Sequence, residues 1–524
     1  EIGMLVVWES ALWCLAPNYA LDDERFWRNA ARHIAAQVRL HRNRPSVVIW
    51  SVENEILLTG GAPVPGVERR LAELGRLVRA LDPTRPIMFE GDFDPEGSAD
   101  IVNLHYPHEF PRYRAYPQDA YWMDEPAVLD TFPRRGFLWD RKKPLYIGEF
   151  LWVPNFSPDV ATYFEGERSY LDPGDSYLRA KARAWEFQIE AYRHYGVSGI
   201  CPWNIFEGGT RPGVSNPLYE AVRRTYPPLY VVERARIPRA FGGHELTLPL
   251  TVCNDLVGRG ARDFEGRVEW EIVVKGKAVA RSSERVSVPL AGRACVNLTL
   301  RLPEVAEETE AESVVRLVQA DGRVTFERRR PFTIHPDRLL APRLRGRVVA
   351  LDPERRTLRL LGRLGVEAEN VKTLSALPEG ALLVVGEGAL ARIKAPRAVS
   401  RTRSPARALL DFVKGGGVCL VLAQGECPPG LLPVTLVPAR ATIAFARIPG
   451  HPVLRGLDNS DLCFLLPDGF VMERAVEKSP NITPIVDAGG PAGLRYVAVA
   501  AMPLGRGAFV FCQEPVVRKF GDSP

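Results

Sequence analysis

The feature that most constrains this chain is a series of short, unbroken apolar runs that alternate with helical patterns over its first 225 or so residues. The runs are Ile2 to Trp8, Val47 to Trp50, Pro86 to Glu90, Ile101 to His105, Leu145 to Gly148 and Val197 to Pro202. A strand that is apolar on both faces must be covered on both faces, which is the situation of a parallel sheet flanked by helices. The intervening segments fit. A helix is expected from about Asp23, with Asp22 as its N-cap and Phe26, Ala30, Ile34 and Val38 on one face. A second runs from Val67 to Ala80, stopped by Asp82-Pro83, and a third covers 178–195. The stretches 107–143 and 151–177 read as loops. Six such strands fall short of the eight in a (β/α)₈ barrel, so the expected fold is a partial TIM barrel whose first two strands lie upstream of Glu1.

The pattern then changes twice. Between about 240 and 335, runs such as Leu246 to Val252 and Val268 to Val274 alternate with period two, as in an all-β, immunoglobulin-like sandwich. From about 340, Arg347 to Leu351, Leu382 to Val385 and Val418 to Leu422 read as buried strands. Arg407 to Lys414 reads as a helix ended by Gly415-Gly416-Gly417. That is the pattern of an α/β doubly wound domain. The expected domains are therefore 1–228, 229–337 and 338–524, and the chain reads as a piece cut from a longer one. Its formal charge of +5 over 524 residues is spread out, which argues against nucleic acid or an acidic membrane surface as a partner. No run of about 18 apolar residues is present. The eight cysteines are scattered without a CxxC pair, so they read mostly as buried apolar residues, not as metal ligands or a disulfide frame.

Two acidic residues stand just past the C-terminal ends of apolar strands, where a barrel of this kind holds its active site. They are Glu55, closing Pro45-Ser46-Val47-Val48-Ile49-Trp50-Ser51-Val52-Glu53-Asn54-Glu55, and Glu149, in Pro144-Leu145-Tyr146-Ile147-Gly148-Glu149-Phe150. Retaining glycoside hydrolysis needs two carboxyl groups about 5–5.5 Å apart, one protonated to release the leaving oxygen and one ionised to attack the sugar. Burial and mutual repulsion push such a pair's pKa values apart. Glu53, two residues before Glu55, is the competing acid.

The run ending Asn54-Glu55 closely resembles the acid/base signature of glycoside hydrolase family 2, and the run ending Gly148-Glu149-Phe150 resembles its nucleophile signature. The resemblance covers roughly residues 1–225 and implies a retaining β-glycosidase of the galactosidase, glucuronidase or mannosidase kind. It gives Glu55 the acid/base role, Glu149 the nucleophile role and Asn54 a contact to the sugar 2-hydroxyl. Trp8-Glu9 matches the family's strand-three ending. The resemblance also implies that Tyr106 bonds the nucleophile, that His105 contacts sugar and that Trp203 is the aromatic floor. Trp152, Trp122, Trp139 and Tyr121 are loop residues that could line the cleft, and Asp92, Asn204 and Glu207 are candidate hydroxyl binders. An arginine expected on strand two of this clan lies outside the chain.

The last domain, with Gly450-His451-Pro452-Val453-Leu454-Arg455-Gly456-Leu457, looks like the class I glutamine amidotransferase-like domains appended to some glycosidases. Amide chemistry would need a nucleophilic cysteine on the turn after a strand. The matching place is near Ala423-Gln424-Gly425, and Cys427 comes later, beside Pro428-Pro429. The domain is expected to be non-catalytic, with a structural role or a role in homo-oligomer formation. The expected partner is a carbohydrate substrate, and no cofactor or metal is expected. A sugar-binding or scaffold protein with a degenerate barrel is the rival reading. A transglycosidase is its mechanistic neighbour. No signature in the loops specifies the sugar or its linkage.

Overall fold

A computed structural model describes residues 4–107, 123, 128–131, 135–150, 158–205, 216–338, 342, 344, 346–393, 404–441, 443–459, 461–462, 471–490 and 493–522. The chain divides into two compact units, Glu1–Pro154 with Ala184–Pro227, and Asn155–Arg183 with Pro228–Pro524.

In the first unit the apolar runs become strands β1 (Val6–Glu9), β2 (Val47–Asn54), β3 (Ile87–Glu90), β4 (Val102–His105), β7 (Leu145–Phe150) and β8 (Gly199–Pro202). A short antiparallel hairpin, β5 (Val128–Thr131) with β6 (Arg135–Leu138), falls inside the stretch expected to be loop. β1-β2-β3 and β4-β7-β8 form two parallel sheets, and an isolated antiparallel bridge links Phe93, past the end of β3, to Asn103 on β4. Helices α1 (Glu24–His41) and α2 (Val67–Leu81) cover the first sheet. Ile34, Val38, Leu71 and Val78 pack there with Trp50, Ile87 and Phe89 in one core cluster. The N-cap of α1 is Asp23, not Asp22: its side chain accepts the Arg25 N–H at 2.8 Å. Asp23 has the extended backbone a cap requires, and helical geometry begins at Glu24.

In the second unit, residues expected to be loop form helices α3 (Pro158–Glu165) and α4 (Arg168–Leu171); α5 (Pro173–Tyr195), which passes into the first unit at Ala184, starts earlier than expected. Thr162 exchanges two hydrogen bonds with the backbone of Gly490, and Glu167 pairs with Arg447 at 3.2 Å. Such long-range partners leave no local periodic signal, which is why the sequence did not announce these helices. α6 (Pro217–Thr225) belongs to the first unit and is capped by Asn216.

The sandwich is as expected in kind. One sheet is β14-β11-β9 and the other β10-β16-β15-β12-β13, from β9 (Leu229–Val232), β10 (Arg239–Phe241), β11 (Glu245–Asn254), β12 (Phe264–Val274), β13 (Lys277–Val288), β14 (Arg293–Arg301), β15 (Thr309–Gln319) and β16 (Val324–His335). Their alternating residues, including Leu248, Val252, Trp270, Leu298 and Leu317, share one core.

The remainder departs from a purely doubly wound sheet. β17 (Val348–Leu351), β18 (Glu369–Asn370), β19 (Leu382–Val385), β20 (Val418–Val421) and β26 (Gly507–Cys512) are parallel in the order β18-β17-β19-β20-β26. Helices α7 (Arg356–Arg363), α8 (Pro405–Lys414) and α9 (Val516–Asp522) accompany them. An antiparallel extension of β21 (Leu436–Ala441), β22 (Ala444–Ala446), β23 (Met472–Glu477), β24 (Thr483–Ala488) and β25 (Tyr496–Leu504) continues the same sheet. Among the described residues no helix is long and apolar enough to cross a membrane.

Candidate active site

Strand register gathers the acidic residues of the first unit. Asn54 pairs with Glu90 across β2 and β3, and His105 pairs with Glu149 across β4 and β7. Parallel strands that end together present their last side chains to one face. Two of these ends turn through left-handed backbone that is uncommon for residues with a Cβ, Glu55 at φ 57° and Tyr106 at φ 52°. The Glu55 turn is held from several sides. Its N–H donates to Glu90 O at 2.8 Å, and Asp92 accepts the N–H groups of Leu57 at 2.5 Å and Leu58 at 2.8 Å.

The centre of the cluster is His105, whose side chain is fully covered. Nδ1 meets Glu55 Oε1 at 2.7 Å and Nε2 meets Glu90 Oε2 at 3.4 Å, while Glu149 Oε2 is 3.9 Å from Nδ1. Burial alone would lower its pKa, but the hydrogen bonds to Glu55 and Glu90 and the charge of Glu149 outweigh that and push it up to about 10. That shift favours the imidazolium form, in which both nitrogens donate to the carboxylates. Carboxyl oxygens of Glu55 and Glu149 lie within 4.8 Å of each other. Burial raises the Glu149 pKa, and His105 and the Tyr106 hydroxyl, which donates to Oε2, pull it back. Burial also raises Glu9, against the hydrogen bond from Asn54 Nδ2 to its Oε2 at 3.1 Å. Glu55, His105 and Glu149 are close enough to ligate one cation, but only a neutral His105 could serve as a ligand.

Gly148 makes the cluster sterically possible. A Cβ there would lie 2.3 Å from Glu90 Oε2, 2.5 Å from Asn103 Oδ1 and 2.7 Å from His105 Nε2.

Of the residues expected from sequence, Glu55, Glu149, His105, Tyr106 and Asn54 come together here. His105 is spent on carboxylates beneath the surface. Trp203 follows β8, bonded through its N–H to Phe150 O at 3.1 Å, and stays 38% exposed; Asn204 beside it is half-buried. Trp139 donates its indole N–H to Lys143 O at 3.0 Å, a turn contact. Trp152, Trp122, Tyr121 and Glu207 lie outside the described residues. Asp92 is 1% exposed and serves the turn after Glu55. Glu53 is fully buried; burial first, and then neighbouring Asp92, raise its pKa well above the carboxylate range. It accepts the Ile56 N–H at 2.9 Å. Glu90 and Asn103 went unremarked in the sequence, although Glu90 ends an apolar strand just as Glu149 does. Asn103 donates to Glu90 Oε2 and accepts the Gly91 N–H at 3.0 Å.

Residues 5–149 match the family model described as glycosyl hydrolases family 2, TIM barrel domain. Among solved structures, the chain is similar to the exo-chitosanase CsxA of Amycolatopsis orientalis at 11% identity and TM-score 0.35, covering 59% of this chain and 39% of that one. It is similar to a β-glucuronidase of Bacteroides uniformis at 17% identity and TM-score 0.27, covering 66% and 40%. A Parabacteroides merdae β-glucuronidase matches at 14% identity and TM-score 0.31, covering 65% and 43%. The chain thus spans about two fifths of the length of these proteins. Over residues 5–149, then, the chain is similar to the TIM-barrel domain of glycosyl hydrolases family 2.

Proposed function

We propose that this chain is a retaining β-glycoside hydrolase with Glu55 as acid/base and Glu149 as nucleophile. The observation that carries the reading is the approach of the two carboxyl groups, with oxygens within 4.8 Å. Inverting enzymes hold a water between carboxyl groups roughly 6.5–9.5 Å apart, and retaining ones close the gap to about 5–5.5 Å.

In this mechanism ionised Glu149 attacks the anomeric carbon while Glu55 gives its proton to the leaving oxygen. The product is a covalent glycosyl-Glu149 ester and a free alcohol. Water, deprotonated by Glu55, then displaces Glu149 and releases the sugar with its original configuration. The His105 imidazolium and the Tyr106 hydroxyl favour the ionised nucleophile despite its burial. Asn54, held by Glu9, is the candidate donor to the sugar 2-hydroxyl, and Trp203 is the candidate stacking surface.

The test is chemical rescue on a panel of aryl β-glycosides with gluco, galacto, manno and glucurono configuration. Glu149→Gly is expected to be inactive until azide is added, and then to yield the α-glycosyl azide. Glu55→Gly is expected to yield the β-glycosyl azide. Full activity of either variant without azide would sink the assignment.

A further inference from the structure

The second unit contains a crevice that glycoside hydrolysis does not use. It lies where β17, β19, β20 and β26 end, and its volume is about 440 Å³. The sheet order reverses between β17 and β19. In doubly wound sheets such a reversal opens a gap beyond the strand ends, where ligands bind. The volume falls in the range of small-molecule sites.

Two glutamines, each 2% exposed, contribute to the crevice lining. Gln424 is fully engaged. Its Oε1 accepts the Leu390 N–H at 3.0 Å, and its Nε2 donates to Gly386 O at 2.8 Å and Leu422 O at 2.7 Å. Gln513 accepts the Gln424 N–H at 3.3 Å through Oε1, but its Nε2 has no partner among the described residues. A buried amide donor without an acceptor is costly and uncommon, and a bound ligand is one way to satisfy it.

Of the four lining acids, three have close donors and the fourth, Glu473, has Arg518 Nη2 at 3.8 Å. Asp352 accepts the Leu358 N–H at 2.9 Å, Glu387 accepts the Val517 and Arg518 N–H groups at 3.1 and 3.0 Å, and Glu354 pairs with Arg392 at 2.8 Å. Arg474, on β23, lines the same crevice and has no carboxylate within ion-pair distance among the described residues. Two donors in the lining thus lack an acceptor among the described residues: the Gln513 amide N–H and, as far as carboxylates go, the Arg474 guanidinium. Such a pair selects acceptor oxygens, and a guanidinium selects planar or tetrahedral oxyanions above neutral hydroxyls.

We propose that this crevice binds a small molecule bearing an oxyanion, a carboxylate or a phosphate, through Arg474 and the Gln513 amide. The test is calorimetric titration of the full chain with inorganic phosphate, citrate and glucose, at ionic strength fixed with sodium chloride. Saturable binding of phosphate or citrate, with none of glucose, is expected. Preference for phosphate assigns a phosphoryl ligand, and preference for citrate a carboxylate. Arg474→Ala and Gln513→Leu are each expected to weaken binding by about tenfold or more, equivalent to about 1.4 kcal/mol, with hydrolysis of aryl β-glycosides unchanged. Arg474 is partly exposed, so its variant stays informative even where Gln513→Leu folds poorly. No saturable binding of either anion at millimolar concentration, or equal affinity in wild type and Arg474→Ala, would overturn the proposal.

Discussion

Both the barrel fragment and the α/β domain collect charged residues where parallel strands end, but they treat carboxylates in opposite ways. Around His105, the acids Glu55, Glu90 and Glu149 crowd one buried imidazolium. In the α/β crevice, Asp352, Glu354 and Glu387 each have their own donor, while the Gln513 amide N–H has no acceptor and Arg474 no carboxylate partner among the described residues. Carboxyl groups held this close to one another are the arrangement that acid–base work uses. The crevice acids stand apart, each with a donor of its own. They fix geometry and leave donors to meet a ligand.

The sharpest break between the two regions is expected from charge removal. Glu55→Gln should lower kcat by about 10²–10⁴-fold, the usual range for a lost general acid. Glu354→Gln, on the crevice, should leave kcat unchanged. Similar losses in both variants would erase the distinction.

Two pH windows come next. His105 is raised from 6.5 to about 10 in the fold, so its stabilising contribution is complete below about 6.5 and is lost as pH rises through about 10. His105→Gln should flatten that part of the stability curve. Glu514, beside Gln513, is raised by burial from 4.5 to about 7. It stays protonated in the fold over a range where the unfolded chain ionises it. Stability is therefore expected to fall by about 3 kcal/mol between about pH 4.5 and 7, since each tenfold change in proton affinity is worth about 1.4 kcal/mol. Glu514→Gln should remove that slope, as read by denaturant titration at several pH values, and an unchanged slope would show that Glu514 ionises freely.

Gly148→Ala is expected to be smaller in stability, about 1–3 kcal/mol as for other overpacked positions. Its methyl would push Glu90 and His105 apart, so a fall in kcat should accompany the fall in Tm. A variant with lower Tm and unchanged kcat would show that the His105 cluster does not position Glu149.

Much of this was written in local sequence. The apolar runs from Val47 and Leu145 foretold strands, and the signatures closing them pointed to Glu55 and Glu149. Period-two alternation foretold the sandwich, since one face of each strand is solvated. What stayed hidden depends on partners distant in sequence. Glu90 looks like any acidic strand end until the fold sets β3 next to β4 and brings it beside His105. The burial of Glu53 with Asp92 has the same origin. Helices α3 and α4 draw long-range contacts from residues such as Gly490 and Arg447, so their own short periodicity was too weak to read. The antiparallel extension of the last sheet was missed because, among the described residues, only short 3-10 turns, Pro452–Leu454 and Gly493–Arg495, separate its strands from β21 to β25.

The assignment of Glu149 as nucleophile is most directly tested by proton NMR of the sugar released from an aryl β-glycoside, followed from the first minutes. A retaining pair predicts that the β-anomer appears first and mutarotates to the equilibrium mixture. Initial release of the α-anomer would mean inversion, and would contradict that assignment.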